Sequence, residues 1–253
     1  MINSVLPKGE IVSQKMMRYV CFPLIMLLIG CTPEPLPANE ESPMITSDPT
    51  EPPELTIRFL ALGDSYTIGQ GVSEMERWPE QLSVKLREQG INVQVSINAR
   101  TGWTNDNLLS SLSANPPKAP TYDLVSLLIG VNDQFRGGNP DDYRIGFREL
   151  LELAIVLAGG DPKRVIVVSI PDWEVTPFAK NLGSSRLFNI DDFNEVNFQE
   201  SQTYGVRYVD ITPISREAES DLSLLASDNL HPSGAMYALW VEAMLPQIIE
   251  MIR

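Results

Sequence analysis

The chain has little thiol and almost no imidazole, and each shortage excludes a kind of site. Of its 253 residues only Cys21 and Cys31 are cysteines, and only His231 is a histidine. Because both cysteines lie near the N-terminus, the rest of the chain can form no disulfide, thiolate metal site or cysteine nucleophile. The sequence shows no metal-ligand spacing of His, Cys, Asp and Glu and no glycine-rich phosphate loop. We therefore expect neither a metal nor another cofactor.

Positive charge is also scarce. The chain carries 19 basic and 33 acidic residues, a net charge of −14 and a pI near 4.5. Such a surface repels phosphate backbones, so nucleic acid is an unsuitable partner. The hydrophobic content of 43% is enough for one α/β domain with a full core. The sequence does not indicate an oligomeric state.

The N-terminal segment has the features of an export signal. A basic patch at 15–18 precedes an apolar run at 19–29 that is too short to span a membrane comfortably. The run ends in Leu28-Ile29-Gly30-Cys31, which resembles a bacterial lipobox with Cys31 as the lipidated residue. We interpret residues 1–30 as a lipoprotein signal peptide. An ordinary secretory signal cut nearby is the alternative, and translation can start at Met1, Met16 or Met17.

A polar, proline-rich segment follows. Residues 31–55 are rich in Pro, Glu, Ser and Thr, show no apolar periodicity and cannot bury a core. We predict a disordered tether here and one folded domain over 56–253. A lipid on Cys31 would attach this domain to a membrane of the bacterial cell envelope, facing outside the cytoplasm.

The rest of the chain alternates short apolar runs with amphipathic ones, which predicts a parallel sheet covered by helices on both faces. The predicted strands are 57–62, 93–97, 124–129, 164–170 and 206–211. The predicted helices are 79–89, 105–112, 141–158, 188–204 and 233–252. In such sheets active sites gather at the carboxyl ends of the strands. The turns that hold Ser65, Gly102 and Asn132 fall at these ends.

A serine and the single histidine suggest nucleophilic catalysis. Ser65 follows the first predicted strand at a tight turn, and Asp228 stands three residues before His231. At that spacing a carboxylate can orient the imidazole ring. A serine activated by a histidine with its own acid is the arrangement of a serine hydrolase. Asp64 adjoins Ser65, but adjacent side chains usually point apart, so we interpret Asp64 as holding the turn.

Four short motifs resemble those of the SGNH, or GDSL, hydrolases. They are Gly63-Asp64-Ser65, Asn98 to Thr104 with Gly102, Gly130-Val131-Asn132-Asp133, and Asp228-Asn229-Leu230-His231. They occur in the family's order and cover about 57–253. Tyr66 departs from the leucine that the family's name implies. The resemblance implies a flavodoxin-like three-layer α/β/α fold with a five-stranded parallel sheet.

The resemblance also implies roles for the motif residues. Ser65, Asp228 and His231 would form the catalytic triad, and Ser65, Gly102 and Asn132 would form the oxyanion hole. The alternatives are a plain turn capped by Thr104 for the second motif and an Asx turn for Asn132. Trp103, Gln134, Arg136 and Asp172 follow active-site segments and are candidate substrate-binding residues. Phe135, Trp173 and Phe178 can also line the pocket, although core packing explains each of them equally well.

We therefore predict an esterase that hydrolyses carboxylic esters through an acyl-serine intermediate. Lysophospholipids and short acyl esters are plausible substrates by resemblance. One alternative is a carbohydrate esterase that deacetylates a glycan. The other is a surface binding lipoprotein on an inactive hydrolase scaffold, although such a protein need not keep Ser65, Asn132, Asp228 and His231 together.

Overall fold

The computed structural model describes residues 55–182 and 187–252. The sequence-based interpretation of the signal peptide, Cys31 and the tether lies outside these residues. The described part contains a five-stranded parallel sheet in the order β2-β1-β3-β4-β5. Its strands are β1 (Leu55–Gly63), β2 (Ile91–Ala99), β3 (Leu124–Leu128), β4 (Val165–Val168) and β5 (Arg207–Val209). This is the flavodoxin-like order, and it confirms the predicted fold class.

Helices cover both faces of the sheet. They are α1 (Ser65–Ile68), α2 (Trp78–Arg87), α3 (Asn105–Ala114), α4 (Val131–Phe135), α5 (Pro140–Leu157), α6 (Pro177–Leu182), α7 (Ile190–Tyr204), α8 (Thr212–Arg216) and α9 (Gly234–Ile252). Helix α2 packs with α9, whereas α5 packs with both α3 and α7, so two helical layers enclose the sheet. Short 3₁₀ helices occupy Glu74–Glu76, Pro162–Arg164, Trp173–Val175, Glu217–Glu219 and Leu222–Leu224.

The burial pattern explains why these segments take these forms. Every residue of β3 and β4 is buried, as expected for central strands covered on both sides. Helices α5 and α9 bury residues three or four positions apart, which places one apolar stripe of each against the core. These residues are Tyr143, Phe147, Leu150, Leu151 and Ala154 of α5, and Met236, Tyr237, Trp240, Val241, Met244 and Ile248 of α9.

Helix α9 is also long and apolar enough to cross a membrane by length and composition alone. Its buried stripe includes Trp240 and Tyr237, whose side chains are fully enclosed by the domain. The same composition is therefore explained by packing as the closing helix of the core.

Strands β1, β2 and β3 end at the same position in the register of the sheet. Gly63 at the end of β1 pairs with Ala99 of β2 on one side and with Leu128 of β3 on the other. The segments that follow these residues therefore leave the sheet side by side. The order of the strands reverses at β1, and the crevice at such a switch point is where ligands bind in open α/β sheets.

Candidate active site

The serine lies on a tight turn at the end of β1. The strand ends at Gly63, and Ser65 is already the first residue of the one-turn helix α1. The Asp64 side chain caps this helix, because its Oδ1 accepts a hydrogen bond from the Tyr66 N–H at 3.0 Å. A Cβ at Gly63 would overlap the Thr67 hydroxyl, so only glycine fits this turn. The turn therefore fixes the serine at the carboxyl edge of the sheet.

The histidine is held by the carboxylate three residues before it. Oδ2 of Asp228 lies 2.7 Å from Nδ1 of His231. Oδ1 accepts the backbone N–H groups of Leu230 and His231, each at 3.0 Å. The Ala226 N–H donates to the His231 carbonyl at 2.7 Å and closes the loop. The ring therefore has its Nδ1 edge fixed on Asp228.

The charge state of Asp228 sets what the imidazole can do. Partial burial would raise the pKa of this carboxyl, but the hydrogen bonds from the His231 ring and from two backbone N–H groups hold the pKa below its usual value. An ionised carboxylate only accepts hydrogen bonds, so the His231 Nδ1 is the donor in this pair. In the neutral ring Nε2 is then an acceptor, which is the form that a general base requires.

Two groups beside the serine can stabilise a negative oxygen. Gly102 has a φ of +81°, a conformation that residues with a Cβ rarely adopt. Asn132 lies in α4, and its Nδ2 donates to the Trp103 carbonyl at 2.9 Å. This contact uses one hydrogen of the amide and leaves the second available for another acceptor. The geometry therefore provides donors of the kind found in oxyanion holes.

These groups meet at a cavity of about 240 Å³. Its polar wall consists of Ser65, Gln70, Thr101, Gly102, Asn132 and His231. Its apolar wall consists of Tyr66, Val131, Phe135, Trp173, Phe178 and Leu230. The cavity thus combines a nucleophile, a base and hydrogen-bond donors on one side with aromatic rings on the other.

The structure brings together the residues of all four sequence motifs. The cavity is lined by Ser65, Gly102, Asn132 and His231, and the Asp228 carboxylate contacts Nδ1 of the histidine ring. Phe135, Trp173 and Phe178 also line it, so the pocket interpretation of these three residues fits their position better than core packing alone.

Two candidate substrate-binding residues lie elsewhere. Gln134 is buried behind the aromatic wall, where its Oε1 accepts from Trp173 Nε1 at 2.9 Å and its Nε2 donates to the Phe188 carbonyl at 3.0 Å. Trp103 packs against the core and offers its carbonyl to Asn132. Neither Gln134 nor Trp103 is among the residues that line the cavity, and a contact with substrate stays a prediction for both.

The other two candidates are also engaged by the protein itself. Asp172 is buried, and its Oδ2 accepts from Arg216 Nε at 2.9 Å. Arg136 is exposed, and its Nη2 donates to the Gly102 carbonyl at 2.6 Å. Arg136 borders a neighbouring groove instead of the cavity. Neither residue is among those that line the cavity, and a contact with substrate stays a prediction for both.

Several cavity residues were not among the predicted site residues. Thr101, Val131 and Leu230 belong to three of the motifs and Tyr66 follows the first, so position in or beside a motif was the available signal. Gln70 had no such signal. Tyr66 also packs on the imidazole: the centroids of the Tyr66 and His231 rings are 5.4 Å apart at an interplanar angle of 52°. The residue that departs from the family's motif therefore supports the histidine.

Two carboxyls of the motifs do not line the cavity: Asp64, which is buried, and Asp133, which is partly buried. Burial raises the pKa of Asp64 to about 8 and that of Asp133 to about 7. Asp133 accepts the Asn105 N–H at 3.2 Å. Within the described residues, no group of three or more His, Cys, Asp or Glu side chains can hold a metal ion.

Comparison with known proteins identifies the family. The model of the GDSL-like Lipase/Acylhydrolase family matches residues 61–239. No curated protein matches the chain.

Solved structures share the fold. TesA aligns with a TM-score of 0.62 and 19% identity, over 77% of this chain and 99% of that chain. The acetylxylan esterase Axe2 of Geobacillus stearothermophilus aligns with a TM-score of 0.57 and 22% identity, over 78% of this chain and 96% of that chain. A protein of Parabacteroides merdae described as a GDSL-like lipase aligns with a TM-score of 0.61 and 14% identity, over 77% of this chain and 96% of that chain.

The family match covers most of the chain, including the serine, glycine, asparagine, aspartate and histidine motifs. The chain therefore belongs to the GDSL-like lipase/acylhydrolase family and is an ester-hydrolysing enzyme.

Proposed function

We propose that this enzyme hydrolyses carboxylic esters through an acyl-serine intermediate on Ser65. The observation that carries this proposal is the Asp228–His231 pair at 2.7 Å, with its ring in the wall of the cavity that also holds Ser65. Nε2 of His231 takes the proton of the Ser65 hydroxyl as its oxygen attacks the ester carbonyl. The ring then gives this proton to the departing alkoxide, and water releases the acid by the reverse sequence.

The tetrahedral intermediate carries a negative oxygen that needs donors. The backbone N–H groups of Ser65 and Gly102 and the Asn132 amide supply them. The 2.9 Å contact with the Trp103 carbonyl supports this role, because it fixes the plane of the amide before substrate arrives. A donor that is already oriented requires no reorganisation when the charge forms.

The cavity favours an ester with a short or medium apolar group. Its apolar wall contains Phe135, Trp173 and Phe178, and its volume of about 240 Å³ holds only part of a long acyl chain. Short acyl esters meet this description, and we place them first. A lysophospholipid would keep only part of its long acyl chain inside the cavity. The retained Ser65 and His231 favour turnover over a purely binding function.

Deacetylation of a glycan is the second candidate. The groove beside the cavity has a volume of about 440 Å³ and is lined by polar groups that include Asp106, Asn139 and Asp142. Carboxylate and amide groups can bind sugar hydroxyls while the acetyl ester occupies the cavity. The fold is also that of a protein described as an acetylxylan esterase.

Turnover of a graded ester series tests the function. We expect the full chain to hydrolyse 4-nitrophenyl esters from acetyl to dodecanoyl, with a maximum of kcat/KM at short or medium length. Lysophosphatidylcholine and acetylated xylo-oligosaccharides, measured at equal concentration, distinguish the two candidates. Ser65→Ala is the matched control for background hydrolysis. No turnover of any ester above that control would contradict the proposal.

We also propose that the enzyme is held at the bacterial cell envelope by a lipid on Cys31, facing outside the cytoplasm. The order of basic patch, apolar run and lipobox-like tetrapeptide supports this. Cys31→Ser should move the protein from the membrane fraction to the soluble fraction and abolish incorporation of a labelled fatty acid. Cys21→Ser is the control. A Cys31→Ser protein that stays with membranes at high salt would disprove the anchor.

A further inference from the structure

The loop at residues 100–105, here called the oxyanion loop, is held by side chains from two segments. The Thr101 hydroxyl near its start donates to Oε1 of Gln70, and side chains of one short helix hold the part that follows. Asn132 donates to the Trp103 carbonyl at 2.9 Å, and the Asp133 carboxylate accepts the Asn105 N–H at 3.2 Å. Both side chains belong to α4. The loop therefore depends on α4 on both sides of Thr104.

Gly102 is the point of this loop that needs support most. It lines the cavity, and it has no side chain that could anchor it. Its φ of +81° is one of several conformations that glycine can adopt at little cost. The Trp103 N–H donates to the Arg100 carbonyl at 3.2 Å and closes a turn around Gly102, and a contact from outside the loop adds to this restraint.

Arg136 makes that contact. This residue ends α4, and its backbone N–H is bonded to the Asn132 carbonyl at 3.1 Å, so its own position is tied to the helix. Its Nη2 donates to the Gly102 carbonyl at 2.6 Å. A hydrogen bond from a charged donor at this distance is stronger than a neutral one. It holds the peptide that follows Gly102 and so limits rotation of the glycine.

We propose that Arg136 is a positioning residue for the oxyanion hole, acting through Gly102 and not through the substrate. This inference rests on the proposed function, because it assumes that the Gly102 N–H binds the oxyanion. The guanidinium fixes the Gly102 carbonyl, and the fixed carbonyl keeps the preceding N–H directed at the cavity. The sequence-based expectation for Arg136 was a substrate contact, and the two roles predict different kinetics.

Kinetics of Arg136→Gln distinguish the roles. Because the oxyanion exists only in the transition state, we expect kcat to fall about tenfold to a hundredfold while KM stays within about twofold. Affinity for a trifluoromethyl ketone, which forms a tetrahedral adduct with the serine, should fall by a similar factor. Arg164→Gln is the matched control. It removes the same charge before the amino end of β4, at the edge of the sheet opposite the cavity, and should leave kcat unchanged.

Restoring the cation gives a second measurement. Arg136→Lys should keep more activity than Arg136→Gln, and guanidinium ion should raise the kcat of Arg136→Ala but not that of Arg164→Ala. These comparisons separate positioning from a loss of folding, which added guanidinium cannot repair.

Three results would overturn the inference. One is a kcat for Arg136→Gln equal to that of the Arg164→Gln control. Another is a rise in KM with unchanged kcat, which would assign Arg136 to substrate binding. The third is an equal loss of kcat in Arg136→Lys and Arg136→Gln, together with no increase in the kcat of Arg136→Ala when guanidinium ion is added. Failure of the proposed function is recognised separately, because the wild-type chain would then neither turn over esters nor react with a fluorophosphonate at Ser65.

Discussion

Two aspartates, one beside the proposed nucleophile and one beside the proposed base, show how the environment gives one residue type two different properties. Asp64 adjoins Ser65 and is fully buried, with one oxygen on the Tyr66 N–H and the other without a partner. Asp228 is partly exposed, and both of its oxygens accept hydrogen bonds from the segment that carries His231. Burial raises the pKa of Asp64 to about 8, whereas the pKa of Asp228 is lowered.

The difference in pKa supports our proposal that Asp228, and not Asp64, is the acid partner of His231. At neutral pH Asp228 is ionised and can stabilise an imidazolium, whereas Asp64 is largely protonated and acts as a cap of α1. Adjacency to Ser65 along the chain alone therefore does not make Asp64 the acid partner. Tyr66 joins the two regions, because its N–H binds Asp64 and its ring packs on His231.

The largest effect should come from Asp228→Asn. The amide cannot stabilise a cationic ring and can impose the wrong tautomer on His231, so we expect kcat to fall on the order of a thousandfold. Asp64→Asn should cost less than about tenfold, because its oxygen can still accept the Tyr66 N–H. Steady-state kinetics with one chromogenic ester measure both variants. Equal losses would remove the distinction between the two carboxylates.

The next effect is on stability and follows from the opposite pKa shifts. The folded protein keeps the Asp64 proton up to about pH 8, whereas an unfolded chain releases it near about pH 4. The folded state therefore binds more protons in this window, and stability falls as pH rises, with a slope of at most about 1.4 kcal/mol per pH unit. Asp64→Asn should flatten this fall in urea unfolding between pH 4 and 8.

Asp228→Asn is the matched comparison for that experiment. The lowered pKa means that the ionised form stabilises the fold above about pH 4 and that this contribution is lost below it. The difference in unfolding free energy between this variant and the wild type should therefore change only below about pH 4. If both variants alter the same pH window, the two carboxylates do not differ as described.

The smallest effect should come from Tyr66. Tyr66→Leu restores the residue that the family's name implies and removes the ring that packs on His231. An aromatic contact of this kind contributes about 1 kcal/mol, which corresponds to about fivefold in kcat if all of it positions the imidazole. Tyr66→Phe keeps the ring and should stay within about twofold of the wild type. If Phe and Leu behave alike, the ring has no positioning role.

The sequence predicted the fold well because its signals are local. All five strands and five longer helices fall within a few residues of the expected ranges, since apolar runs and periodicity mark them. Within the described residues, α1, α4, α6 and α8 were not predicted, because helices of four to six residues are too short to show a period. The order of the strands depends on packing between distant segments and is not encoded in any single window.

The sequence likewise predicted one part of the candidate site, the motif residues, and missed another, the directions of the side chains beside them. The motif residues converge because Gly63, Ala99 and Leu128 are level in the sheet, so the segments after these strands meet. Side-chain direction was the missing information. Gln134 follows the asparagine motif but turns into the protein to meet Trp173. Asp172 pairs with Arg216, which is 44 residues away along the chain, and no sequence spacing indicates that pair.

The most direct test of the central claim is the site of covalent modification. The full chain should react with a fluorophosphonate in a one-to-one ratio, and peptide mass spectrometry should find the label on Ser65. Labelling should be slow in Asp228→Asn and absent in Ser65→Ala, with loss of esterase activity in proportion to the label. A label on another residue, or full esterase activity in Ser65→Ala, would contradict the assignment of Ser65 as the nucleophile.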